Sequence, residues 1–118
     1  RRLRPAVARP PSRFLVDLML RRPQAAGGFA AVLARGDEHS GIILIQCSDR
    51  GRAGPLLERR FSADGRYLWE AVGPADPDDG EARASYQDRR RSADPDLWIV
   101  ELDIADAPRL VAEWAALT

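Results

Sequence analysis

The sequence predicts an α+β fold with the element order α-β-β-β-β-α-β-α, built as a mostly antiparallel five-stranded sheet with helices on both faces, a three-layer arrangement. Three observations predict it. Ile42 to Ile45 and Leu97 to Val100 are apolar at every position, as strands covered on both faces must be. Tyr67 to Val72 alternates with period two, the pattern of a half-covered strand. Apolar residues at helical spacing stand near both ends of the chain, in Phe14, Leu15, Leu18 and Met19 and again in Leu110, Val111, Trp114 and Leu117.

Taken in order, residues 1–11 hold Pro5, Pro10 and Pro11 among arginines and are expected to form a flexible basic arm, leaving 12–118 as a single domain. Ser12 is placed to cap the first helix, which Pro23 kinks or ends and Gly27-Gly28 closes. Strands are expected at Phe29 to Ala34 and Gly41 to Cys47, joined as a hairpin by Arg35-Gly36-Asp37-Glu38-His39-Ser40. A glycine-rich loop at Asp49, Gly51 and Gly54 leads to a third strand near Leu56 to Phe61, and Asp64-Gly65 turns the chain into the fourth. Asp78 and Glu81 have capping-box spacing for a polar helix reaching Arg91, whose buried face is Ala82 and Tyr86. Asp94-Pro95-Asp96 ends that helix, Leu97 opens the fifth strand, and Asp106 with Pro108 starts the last helix.

All eighteen cations are arginine, and the chain has neither lysine nor asparagine, a bias that points to a GC-rich bacterial genome rather than to one function. Residues 1–22 carry seven arginines against Asp17 alone, and residues 23–118 eleven arginines against seventeen carboxylates, so a +6 start joins a −6 remainder. Cys47 is the only cysteine and His39 the only histidine. No intrachain disulfide or structural zinc site can be built from them, and a reducing cytoplasm is the expected location. No apolar run approaches the ~20 residues that span a bilayer, so no membrane segment is expected.

Gly36 and Gly41 have the four-residue gap of a phosphate-binding loop, but Ile42 and Ile43 stand where that loop needs its lysine and hydroxyl, and a strand follows instead of a helix. Asp37, Glu38 and His39 are consecutive and suit a solvated turn better than a metal site, because neighbours in a loop rarely converge on one ion. Cys47 lies too far along an extended strand from His39 to form a thiolate–imidazolium pair and reads as a small buried hydrophobe. The arginines of the arm, Arg21-Arg22 and Arg89-Arg90-Arg91, lack the interleaved aromatics of single-strand binding, and the acidic body opposes a polyanion. Asp94-Pro95-Asp96-Leu97-Trp98 suits a rigid corner.

The run Gly28-Phe29-Ala30-Ala31-Val32-Leu33-Ala34-Arg35-Gly36-Asp37, then Gly41, and later Asp94-Pro95-Asp96-Leu97-Trp98-Ile99-Val100-Glu101, resembles an uncharacterised family of small alphaproteobacterial proteins, domain of unknown function 1491. The likeness covers about residues 12–103 and departs from the family's usual ending after Asp103. It implies no catalytic residue. Because the residues themselves offer a core-rich domain without a complete catalytic constellation, the expected function is a non-catalytic cytoplasmic module that binds a protein partner or small ligand, without cofactor or metal. Arg35, Asp37, Asp94 and Asp96 are the candidate contact residues, and nucleic acid and membrane are not expected as partners. The alternatives are a small hydrolase, with or without a metal, using Asp37, Glu38 and His39, and nucleic-acid association through the basic arm.

Overall fold

The computed structural model describes residues 11–115. The elements are α1 (Ser12–Ala25), β1 (Phe29–Ala34), β2 (Ile43–Asp49), β3 (Arg52–Phe61), β4 (Tyr67–Val72), α2 (Gly80–Ala93), β5 (Trp98–Asp103) and α3 (Ala107–Ala115). The five strands form one sheet in the order β1-β5-β2-β3-β4, antiparallel except for the parallel pair β2–β5.

This order corrects one expectation. Arg35 to Ser40 does not close a hairpin, because β5 is inserted between β1 and β2. The physical reason is burial: β5 sends Trp98, Val100 and Leu102 to one face and Ile99 to the other, all buried, whereas Phe29 and Leu33 of β1 are exposed. The doubly apolar strand takes the interior and the more exposed one the edge.

One face of the sheet packs on α1 and α3 through Leu15, Val16, Met19, Ala107 and Val111, set against Ile43, Ile45, Leu57, Trp98, Val100 and Leu102. Each of the Leu, Val, Ile and Met side chains contributes about 1.5–3 kcal/mol on burial. The other face is thinner. Leu44, Leu56, Leu97 and Ile99 meet Tyr86 of α2 with Ala34 and Val72 at the margin. The stripe of α1 is rotated from the expected one: Val16 and Pro23 are buried and Phe14 is half exposed.

Local chemistry explains the element ends. Ser12 is not a side-chain cap. Its hydroxyl donates to Gly41 O (2.7 Å), while the backbone N–H groups of Ser12 and Arg13 donate to the carbonyls of His39 (3.1 Å) and Glu38 (2.9 Å), so the loop after β1 caps α1. At the other end Gly28 N donates to Pro23 O (2.7 Å) and Gly27 N to Gln24 O (3.2 Å), a Schellman closure. β3 starts four residues earlier than expected. Arg50 (φ 53°) and Gly51 (φ 80°) make a two-residue turn whose N–H groups both donate to the Asp103 carboxylate. Gly54 and Pro55 then sit in a bulge opposite Cys47, where a proline's missing N–H breaks no ladder bond. Asp79 rather than Asp78 caps α2, accepting from Ala82 N at 3.0 Å. The expected arm lies outside the described residues apart from Pro11, as do Leu117 and the chain's last turn.

Candidate functional site

The two motifs singled out in the sequence dock on each other. Asp37 N donates to Asp96 O (3.0 Å), the Trp98 indole Nε1 donates to Asp37 O (2.7 Å), and Trp98 N donates to Ile42 O (2.8 Å). A Cβ on Gly36 would lie 2.1 Å from Asp96 O and 2.7 Å from Trp98 Cδ1, and one on Gly41 would lie 2.2 Å and 2.9 Å from the same two atoms. The four-residue gap between these glycines lets the loop fold around the start of β5. It is an approach of backbone to backbone, and it accounts for the likeness to a phosphate loop without a phosphate.

The candidate side chains mostly serve this junction. Asp37 Oδ2 accepts from the backbone N–H of Ser40 (2.8 Å) and His39 (3.0 Å) and from the Ser40 hydroxyl (3.1 Å). The Ser40 and His39 N–H groups hold its carboxyl below the usual carboxylate range. Asp94 Oδ1 accepts from Asp96 N (3.1 Å), Arg35 lays its guanidinium 5.6 Å from the centre of the Trp98 ring, and the Asp96 side chain is exposed. Thus the main chains of Arg35, Asp37 and Asp96 converge while their charged heads do not. Arg91, which in the sequence reads as one more solvated arginine of a polar helix, belongs to this junction: its Nη1 donates to the carbonyls of Arg35 (3.0 Å), Pro95 (2.8 Å) and Leu97 (2.7 Å).

Asp37, Glu38 and His39 do not share a partner. Asp37 turns into its own loop, Glu38 pairs with Arg13 at 3.4 Å, and His39 is exposed. Among the described residues no three His, Cys, Asp or Glu side chains are grouped to hold a metal ion. Cys47 is buried under the first core, and desolvation pushes its thiol up to about 12.

A polar layer fills the space between α2 and the sheet. Arg90 Nη1 donates to Glu58 Oε1 (2.5 Å) and to the Tyr86 hydroxyl (2.8 Å), and Arg60 bridges Glu58 (3.5 Å) and Glu70 (3.1 Å). Beside it Gln87 Nε2 donates to Gln46 Oε1 (2.9 Å), and Gln46 Nε2 to Glu101 Oε2 (3.3 Å). Hydrogen bonds to Glu58 and Tyr86 hold the Arg90 guanidinium above its ordinary value despite partial burial. The sequence gives little signal for this layer, since a helix rich in Arg and Asp reads as solvated.

Open space lies at the other end of α2. A cavity of about 260 Å³ is walled by Pro55, Leu56, Val72, Pro74, Ala75 and Pro77 and contains Arg83. A second, of about 210 Å³, shares Gly54 and Pro55 with it and reaches Cys47, Ala107 and Pro108. Arg35, Asp37, Asp94 and Asp96 line neither.

A family model described as a protein of unknown function, DUF1491, matches residues 11–112, which carries the likeness past Asp103 into α3. The fold is similar to a crystal structure of a DUF1491 family protein from Caulobacter crescentus CB15 (TM-score 0.72, 27% identity, 80% of this chain and 88% of that one). It is also similar to an NMR structure of a DUF1491 family protein from the same organism (0.65, 29%, 77% and 82%). A third similar structure is the solution structure of protein Atu0922 from A. tumefaciens (0.59, 30%, 80% and 86%). No curated protein matches the chain.

Proposed function

The chain belongs to the DUF1491 family, a bacterial family described only as of unknown function, and from its geometry we propose that it is a non-catalytic cytoplasmic module that binds a small ligand. One observation carries the reading: the groups that look reactive are spent inside the fold, while the open space sits elsewhere. Asp37 turns one carboxylate oxygen to three donors of its own loop, and the Cys47 thiol is held protonated far above neutral pH. Among the cavities present, the two flanking the Gly54-Pro55 bulge are lined mainly by small and apolar side chains. A cytoplasmic setting fits a lone buried thiol, and no described helix is long and apolar enough to cross a membrane.

Thermal-shift screening of the whole chain against a small-metabolite library tests this, run beside hydrolase, phosphatase and nuclease substrates and added Zn or Mn. Ligand-dependent stabilisation without turnover is expected. Saturable turnover abolished by Asp37→Ala would overturn the reading in favour of a hydrolase.

A second reading, a protein partner, is favoured by β1. This edge strand carries no charge and exposes Phe29 (55%) and Leu33 (51%). The partner proposed is a second copy of the chain, since a two-fold axis beside β1 would pair this uncharged edge with itself ahead of the bulge at Leu33. Sedimentation velocity decides: concentration-dependent dimer lost in Leu33→Lys supports it, and a monomer at every concentration removes it.

A further inference from the structure

Arg83 stands one turn into α2, on a helix in which it is the only buried residue, and is 8% exposed. A guanidinium largely withdrawn from water favours an anion or a full set of acceptors in place of the solvent it has lost. Every other partly buried arginine of this helix has such partners: Arg90 has Glu58, and Arg91 has three carbonyls. Arg83 has only two acceptors, the carbonyls of Gly54 and Pro77, both at 3.4 Å and both on Nη1. Among the described residues no carboxylate lies within ion-pair distance of it, and the donors on Nε and Nη2, which have no protein acceptor, keep contact with open space. Nearby acids are engaged elsewhere, Asp79 with Ala82 N and Asp76 with Asp78 N.

The guanidinium lines the 260 Å³ cavity, whose other walls are glycine, proline and aliphatic side chains without a single carboxylate. We propose that this cavity is a binding site for a small apolar monocarboxylate, its carboxylate forked by Arg83 and its hydrocarbon body packed against Val72, Pro74 and Pro77. The inference rests on the small-ligand reading above and supplies its ligand class. A planar fork of donors matches a carboxylate bidentately. Apolar walls reward a hydrocarbon body, and the volume lies below that of drug-sized sites. Phosphate fits less well, because its second charge would meet one arginine and the acids Asp76, Asp78 and Asp79 of the adjoining loop.

The test is calorimetric titration and thermal shift of the full chain with isovalerate and benzoate, against isovaleramide and inorganic phosphate. The two carboxylates are expected to bind saturably near ~1 mM or tighter, and at tenfold that concentration to raise Tm by about 5 °C. Arg83→Gln should weaken binding at least about tenfold, and Ala75→Trp, a change in an exposed loop that fills the cavity from its other wall, should do the same with Arg83 intact. Should Arg83→Gln not fold, the Arg83 side-chain Nε–H resonance of the wild type must move on adding isovalerate. Binding of amide and acid alike, of phosphate alone, or of carboxylates undiminished in Ala75→Trp overturns the proposal. If other library compounds still stabilise the protein, the small-ligand reading survives that failure; if nothing binds at all, both fall.

Discussion

The Trp98 indole Nε1 donates a 2.7 Å hydrogen bond to the carbonyl of Asp37, sixty-one positions earlier, and so ties the first inner strand of the sheet to the loop that caps α1. Trp98 is also among the largest fully buried side chains. Trp98→Phe keeps an aromatic ring but removes the donor and part of the volume. It is expected to destabilise by about 2–3 kcal/mol, read as a lower urea midpoint with an unchanged slope.

Gly36 and Gly41 press on the same two atoms, Asp96 O and Trp98 Cδ1. Gly36→Ala and Gly41→Ala should each cost about 3 kcal/mol, because the obstacle is backbone and cannot swing away. Gly51 is the control. A Cβ there meets nothing within 4 Å, and only its φ of 80° resists, so Gly51→Ala should cost about 1 kcal/mol. Equal melting temperatures for the three variants would count against a close backbone approach.

Asp37 makes the junction pH-dependent. Its carboxyl is held below the usual range in the folded protein, so its contribution is complete above the pH at which the unfolded carboxyl titrates and is lost as pH falls through the folded value. Urea midpoints from roughly pH 2 to pH 6 should therefore show wild type and Asp37→Asn diverging at the upper end and converging at the lower. Parallel curves would remove Asp37 from the acid response.

Glu58 and Arg90 form the least exposed ion pair described, with side chains 9% and 23% exposed. Removing Glu58 alone leaves Arg90 beside Tyr86 without its counter-charge, and Glu58→Ala is expected to cost about 3 kcal/mol. The double replacement Glu58→Leu with Arg90→Met should cost less than Glu58→Ala, since no charge is then stranded. A double-mutant cycle by chemical denaturation measures the coupling.

Most elements were legible because their signals are local. The apolar runs of β2 and β5, the alternation in β4 and the closure at Gly27-Gly28 each follow from a few neighbouring residues. The insertion of β5 was not, because periodicity shows how a strand is covered and not which strand lies beside it. The motifs at 35–41 and 94–98 could be seen as motifs, but their union depends on contacts across some sixty residues. Arg83 was hidden for a similar reason. An arginine on a polar helix reads as solvated until the 73–79 loop and the β3 bulge close over it.

Placing β5 between β1 and β2 also orders assembly in time. As the chain emerges from the ribosome, β2, β3 and β4 can pair as a meander, but β1 has no neighbour until residues 98–103 arrive. The uncharged segment Phe29–Ala34 therefore waits unpaired through the synthesis of some sixty further residues. That interval is when aggregation most threatens this chain, and slowed elongation after residue 72 should lower its soluble yield.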